Sequence, residues 1–149
     1  MKKLTVLIAA LFALAAPVAS FSAMDHGAHK QGSAAHEEVV DGVKATFSVI
    51  SMKEHLKAMK IEMPKGMKET HHIMVVFKDV KSGKALTEGE VKVKVQGPDK
   101  SEQAKGLTGM DGHFGADFNL SKKGKYGVMS KFQLKDGKVR SARFWYTVK

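Results

Sequence analysis

Eight methionines and seven histidines lie beyond residue 23, and the chain has no cysteine. Thioether sulfur is soft and neutral and imidazole nitrogen is borderline, so together they suit Cu(I) and tolerate Cu(II) where thiols are lacking. Spacing sorts these donors into groups. His55 and Met59 stand four apart in a segment of helical pattern, with Met52 one turn earlier, so one helix side would present all three. His72 and Met74 alternate along a strand and share a face, with His71 on the other face. Met110 and His113 bracket the glycine of "MDGH", a turn compact enough for two ligands to converge. Copper is therefore the expected cofactor, with His55, Met59, His71, His72, Met74, Met110 and His113 as its ligand set.

Each group has a plainer reading beside the metal one. A methionine stripe at helical spacing packs a helix onto a sheet, because Met fills irregular gaps. One of His71 and His72 would be buried in a hydrogen bond and the other exposed. The "MDGH" turn needs only its glycine. His26, His29 and His36, in "HGAHKQGSAAH", form either a metal-gathering tail or a bare leader segment. Other chemistries find less support. There is no thiol, no G-x-S-x-G turn, no serine set against a His–acid pair and no phosphate-binding glycine loop, so the chain is expected not to be an enzyme.

The elements that must hold these donors read mainly as strands. "VKATFSVI" alternates Val43, Ala45, Phe47 and Val49 with polar residues, the signature of a half-buried strand. "HHIMVVFKDV" (71–80) is nearly continuous in apolar residues, as in a strand covered on both faces. "VKVKVQ" (91–96), "HFGADFNL" (113–120) and "YGVMSKFQL" (126–134) alternate again, and "VRSARFWYTV" (139–148) is aromatic and β-branched. "KSGK", "GPDK", "SKKGK" and "KDGK" supply the turns. Between the first two strands, Ser51 and Glu54 have capping-box spacing, Met52, Leu56, Met59 and Met63 recur helically, and Pro64 and Gly66 close the segment, predicting a short helix near 52–62. "LSKKGKY" (120–126) has the spacing of a tyrosine corner, which would put 113–120 and 125–134 in different sheets. The expected fold is all-β: an immunoglobulin-like antiparallel sandwich of 6–7 strands with one inserted helix.

The ends of the chain set compartment and partners. Lys2 and Lys3, the apolar run Leu4–Ala16 and the small residues of "PVASFSA" make residues 1–23 a signal peptide, with cleavage open between Ala19, Ser20, Ser22 and Ala23. That run is too short to span a bilayer, where about 20 residues are needed. Export to a bacterial periplasm as a soluble protein is expected. Residues 24–38 lack periodicity and read as a disordered, His-containing arm, leaving 39–149 as one domain. Fourteen lysines balance fourteen acids over 24–120, whereas 121–149 set nine basic residues against Asp136 alone. That terminal hairpin is either a solvated edge or a docking face for an acidic membrane protein or lipid headgroups. The alternative to copper carriage is thus a metal-free interaction domain. Nucleic acid is not an expected partner, and the chain is expected to be monomeric.

"THHIMVVFKDVKSGKALTEGEVKVKVQGPD" followed by "GHFGADFNLSKKGKYGV" resembles the YtkA-like domain family, over about residues 70–134. The shared pattern is a His- or apolar-led strand, an Asp–Gly–Lys turn, an alternating strand ending in Pro, and the G-x-Y start of a later strand. The resemblance implies an immunoglobulin-like extracytoplasmic domain, broadly similar to periplasmic copper-resistance sandwich proteins. The Met-bearing helix departs from the family's minimal sandwich.

Overall fold

The computed structural model describes residues 34–149. The expected signal peptide, residues 1–23, and residues 24–33 of the expected arm, with His26 and His29, lie outside the described residues. The fold is all-β and antiparallel with one short helix. In chain order the elements are β1 (Ala34–Val40), β2 (Val43–Ser51), α1 (Met52–Ala58), β3 (His71–Asp79), β4 (Ala85–Leu86), β5 (Gly89–Gln96), β6 (Glu102–Met110), β7 (His113–Phe118), β8 (Gly124–Leu134) and β9 (Val139–Val148). No helix among the described residues is long and apolar enough to cross a membrane.

The nine strands form one continuous hydrogen-bonded path, β1-β2-β3-β7-β6-β5-β8-β9, with β4 added on β3. This corrects the expected 6–7-strand sandwich. The reason lies in β6, whose residues 102–107 pair with β5 while 108–110 pair with β7. One strand therefore carries the ladder around the bend, and the sheet curls until its two ends meet. There His36 stacks on Phe144 with centroids 5.1 Å apart, Phe47 packs on the same ring at 5.2 Å, and Arg143 N–H donates to Glu38 Oε1 at 3.2 Å. The result is nearly barrel-shaped. Its interior is filled by the alternating apolar residues, with Phe77 packed against Phe132 at 4.5 Å and Phe114 at 5.7 Å.

β1 is a second correction, since residues 34–38 are strand and not arm. Asp41 and Gly42 both have positive φ, as a two-residue type I′ hairpin requires, and Val40 pairs with Val43 across that turn. The turn folds a polar, low-periodicity segment back onto β2, and the ladder supplies what the side-chain pattern lacks. Among the described residues, strand structure thus begins at Ala34.

The tyrosine corner is present. Tyr126 Oη donates to the Lys122 carbonyl at 2.7 Å and accepts from Lys122 N–H at 3.1 Å. β7 and β8 do not pair, and β8 and β9 form the expected hairpin.

The helix is shorter than predicted. Ser51 Oγ caps it by accepting from Glu54 N–H at 3.2 Å. It ends at Ala58 with Met59 as C-cap, not near residue 62, because Lys60 takes a left-handed φ of 56°. Lys60 N–H then bonds the Lys57 carbonyl (3.1 Å) and Ile61 N–H the Leu56 carbonyl (3.0 Å). That double closure is a Schellman motif. Only Met52 and Leu56 of the stripe are buried, and Met59 and Met63 are 39% and 53% exposed.

Candidate metal centre

The even-numbered residues of β3 face away from the main core. His72 and Met74 are buried there, with Met52 and Leu56 of α1, and none of these belongs to the interior cluster. The helix thus covers part of this outer face. The loop leaving α1 is fastened back at Thr70, whose carbonyl accepts from Met52 N–H at 2.7 Å. Register sets the neighbours: His72 stands opposite Asp117 of β7, and Met74 opposite Gly115.

Three donors converge at the covered end. His72 is only 2% exposed, and its Nδ1 lies 2.7 Å from Asp117 Oδ1. The imidazole of His55, from α1, stacks on it with centroids 3.9 Å apart and planes 6° from parallel. Ligating atoms of His55, His72 and Asp117 lie within 4.8 Å of one another. Donors sharing one ion at bonds of about 2 Å stand ~3–4 Å apart, so the cluster is within a side-chain rotation of closing on a metal. Imidazole lone pairs lie in the ring plane, and two parallel rings cannot both aim at one point. Since Asp117 holds His72, the ring that must turn is His55, on the half-exposed helix side.

Two features fit a metal here. With Asp117 on Nδ1, the other nitrogen of His72, Nε2, is buried and has no hydrogen-bond partner among the described residues. A carboxylate on one imidazole nitrogen, leaving the other as a free donor, is the usual outer support of a metal-binding His. Gly115 makes room: a Cβ there would lie 2.5 Å from His72 Nε2. The Asp117 carboxylate itself is partly exposed, so the cluster reaches solvent on the β7 side. Lys105 Nζ donates to the Asp117 backbone carbonyl and leaves the carboxylate to His72.

The predicted ligands divide accordingly. His55 and His72 come together. Met74 is on the same face, one cross-strand pair away. Met59 is the helix C-cap and exposed. His71 points to the opposite face, where Thr70 Oγ1 lies 2.8 Å from its Nδ1 and its ring meets the edge of Tyr146 at 6.0 Å. Burial pushes its pKa below the ordinary value. Met110 and His113 are the closing pair of the β6–β7 hairpin, whose Asp111 and Gly112 both have positive φ. They share the outer face with Asp117, but four residues of strand, about 13 Å, separate His113 from it. "MDGH" is thus accounted for as a type I′ turn. Asp117 was missed because it stands among the apolar residues of a strand, and only register places it beside His72.

No family model and no curated relative matches the chain, so the YtkA-like resemblance rests on the motif residues alone. Among solved structures, the chain is similar to a DUF4426 family protein from Pseudomonas aeruginosa PAO1 (14% identity, TM-score 0.57, covering 76% of this chain and 96% of that one). It is also similar to the soluble domain of PmoD from a Methylocystis species (11% identity, TM-score 0.42, with the same coverage of each chain). The first likeness shows a shared fold; the second is too distant to carry an argument.

Proposed function

We propose that this chain is an exported copper-binding protein, a carrier or an accessory of a membrane system, which holds the ion between α1 and β3. The observation that carries the reading is the orphaned, buried His72 Nε2, oriented by Asp117 and overlaid by His55. Two imidazoles, one of them backed by an outer carboxylate, suit Cu(II), which heads the affinity order of first-row divalent ions for such nitrogen donors. Met74, the next outward residue on β3, offers a thioether should the ion be reduced. His72 would be the anchoring ligand, Asp117 its orienting partner, and His55 the ligand that swings in from the helix. Export to the periplasm is supported by the leader sequence. The tyrosine corner, with β7 and β8 unpaired, supports kinship with immunoglobulin-like exported domains.

The test is copper titration of a His26→Ala/His29→Ala background, which removes arm ligands without touching β1. Cu(II) is added directly and Cu(I) by anaerobic competition. One tight equivalent that falls at least tenfold in affinity in His72→Ala supports the site. Unchanged affinity in His55→Ala, His72→Ala and Asp117→Ala alike would sink it.

A further inference from the structure

We propose that the outer face of β5, β8 and β9 binds anionic phospholipid headgroups, with Trp145 as its interfacial anchor. Ladder register assembles the face from three strands. Lys92 stands opposite Lys131, Lys94 opposite Met129, Met129 opposite Arg143, and Gly127 opposite Trp145. These residues alternate with the buried Val93, Val95, Val128, Ser130, Ala142 and Phe144, so they all point outward. Lys92, Lys94, Lys125, Lys131 and Arg143 are exposed. Three carboxylates lie on or beside the face: Glu90, Glu102, which is already paired with Lys94 at 2.9 Å, and Glu38, which is engaged by the Arg143 N–H at 3.2 Å.

Trp145 is 61% exposed, an unusual position for the one tryptophan of the chain. Its ring lies flat over Gly127, where a Cβ would come within 3.2 Å of it, and Lys125 Nζ stands 5.7 Å from its centroid. The glycine and the lysine together hold the indole against the strand. An amphipathic ring on a cationic rim suits the headgroup layer, where tryptophan settles. The type of cation points the same way. Four of the five are lysines, flexible point charges that follow a diffuse anionic surface, whereas fixed carboxylates of a protein partner favour bidentate arginine forks. The sequence showed basic charge only in the terminal hairpin; the fold adds Lys92 and Lys94 of β5 to it.

Trp145 is also the reporter. The chain without residues 1–23 is mixed with vesicles of phosphatidylcholine alone or with 30 mol % (roughly a third) phosphatidylglycerol, and sedimentation and tryptophan emission are followed. Binding should require phosphatidylglycerol, weaken with salt and shift the emission to the blue. Near-surface lysines each contribute about fivefold to partitioning, so Lys92→Ala/Lys131→Ala should lose on the order of twentyfold, and Trp145→Ala should lose binding by sedimentation. Both changes are on an exposed face and leave the core intact. Three results would overturn the proposal: no dependence on phosphatidylglycerol, binding without an emission shift, or tighter binding to poly-glutamate, which would make this a face for an acidic protein.

Discussion

His55 of α1 and His72 of β3 lie face to face, ring centroids 3.9 Å apart and planes nearly parallel. One ring is pinned by Asp117 and buried; the other rides on a seven-residue helix at the half-exposed side of the pair. Stability and ligation should therefore separate at His55. Removing the ring forfeits a stacking contact of about 0.5–1.5 kcal/mol, while alanine recovers about half a kcal/mol of helix propensity. We expect His55→Ala to shift the urea midpoint by less than the equivalent of about 1 kcal/mol and to weaken copper binding clearly. A large stability loss with intact affinity would make His55 a packing residue.

Gly115 gives the complementary test. A methyl group there would sit 2.5 Å from His72 Nε2 and 2.8 Å from Cε1, and the ring cannot retreat without breaking its bond to Asp117. Gly115→Ala should cost about 1–3 kcal/mol through overpacking and lower copper affinity together with stability. Calorimetry and titration on the same sample would show both. A neutral substitution would mean that the His72 ring has slack the geometry denies.

Much of the barrel could be read from alternation, because β2, β5 and β8 each bury every second residue over a long run, whereas β9 was legible as a strand only by its aromatic and β-branched residues, without a register. β6 could not. "EQAKGLTGM" buries Leu107 alone, and the strand exists because it completes ladders on β5 and then on β7. β1 was hidden for the same reason, although its Asp41–Gly42 turn was a signal that could have been used. At the site, residue chemistry picked out His55 and His72 and missed Asp117. Met110 and His113 close the β6–β7 hairpin and stand apart from the His55–His72–Asp117 cluster. Cross-strand register brings Asp117 to His72, and a single sequence does not disclose register.

Lys60 explains why the helix stops early, and the explanation can be checked. Its φ of 56° puts a side chain where left-handed backbone costs about 1–2 kcal/mol, at a position that usually holds glycine. Lys60→Gly should keep the Schellman bonds and stabilise the chain by about 1 kcal/mol, less whatever the freer unfolded chain takes back. A higher melting temperature is the expected reading. A lower one would mean that the lysine side chain contributes more than its backbone costs.

Tyr126 ties the turn before β8 to the strand itself. Its hydroxyl both donates to and accepts from the Lys122 backbone, and its ring is buried in the main core. Tyr126→Phe keeps the ring and strands those two backbone groups, so a loss of about 1–2 kcal/mol is expected. The urea midpoint should fall with an unchanged slope. No change would show that water replaces the hydroxyl at no cost.

Acid stability depends on an ion pair at the other end of β9. Arg140 is buried, yet both its terminal nitrogens are engaged: Nη1 and Nη2 reach Asp136 Oδ1 and Oδ2 at 3.0 and 2.7 Å, and Nη2 also reaches the Asp41 carbonyl at 3.1 Å. The guanidinium, and next the Lys138 backbone N–H, hold the Asp136 carboxyl down to about 2 from an ordinary 3.8. A carboxyl with a depressed folded-state pKa binds its proton more readily in the unfolded chain. Its stabilising contribution is therefore full above pH 3.8 and is lost as pH falls through about 2. Asp136→Asn keeps the shape without the charge and lacks this dependence. Urea midpoints of parent and variant should differ most at pH 5 and converge as the pH approaches 2. Asp99, held low by Lys122 and Ser101, titrates in both proteins and so cancels in the comparison. A gap that stays constant from pH 5 to 2 would show that the buried guanidinium is satisfied by Asp41 and neutral acceptors, with no help from the Asp136 charge.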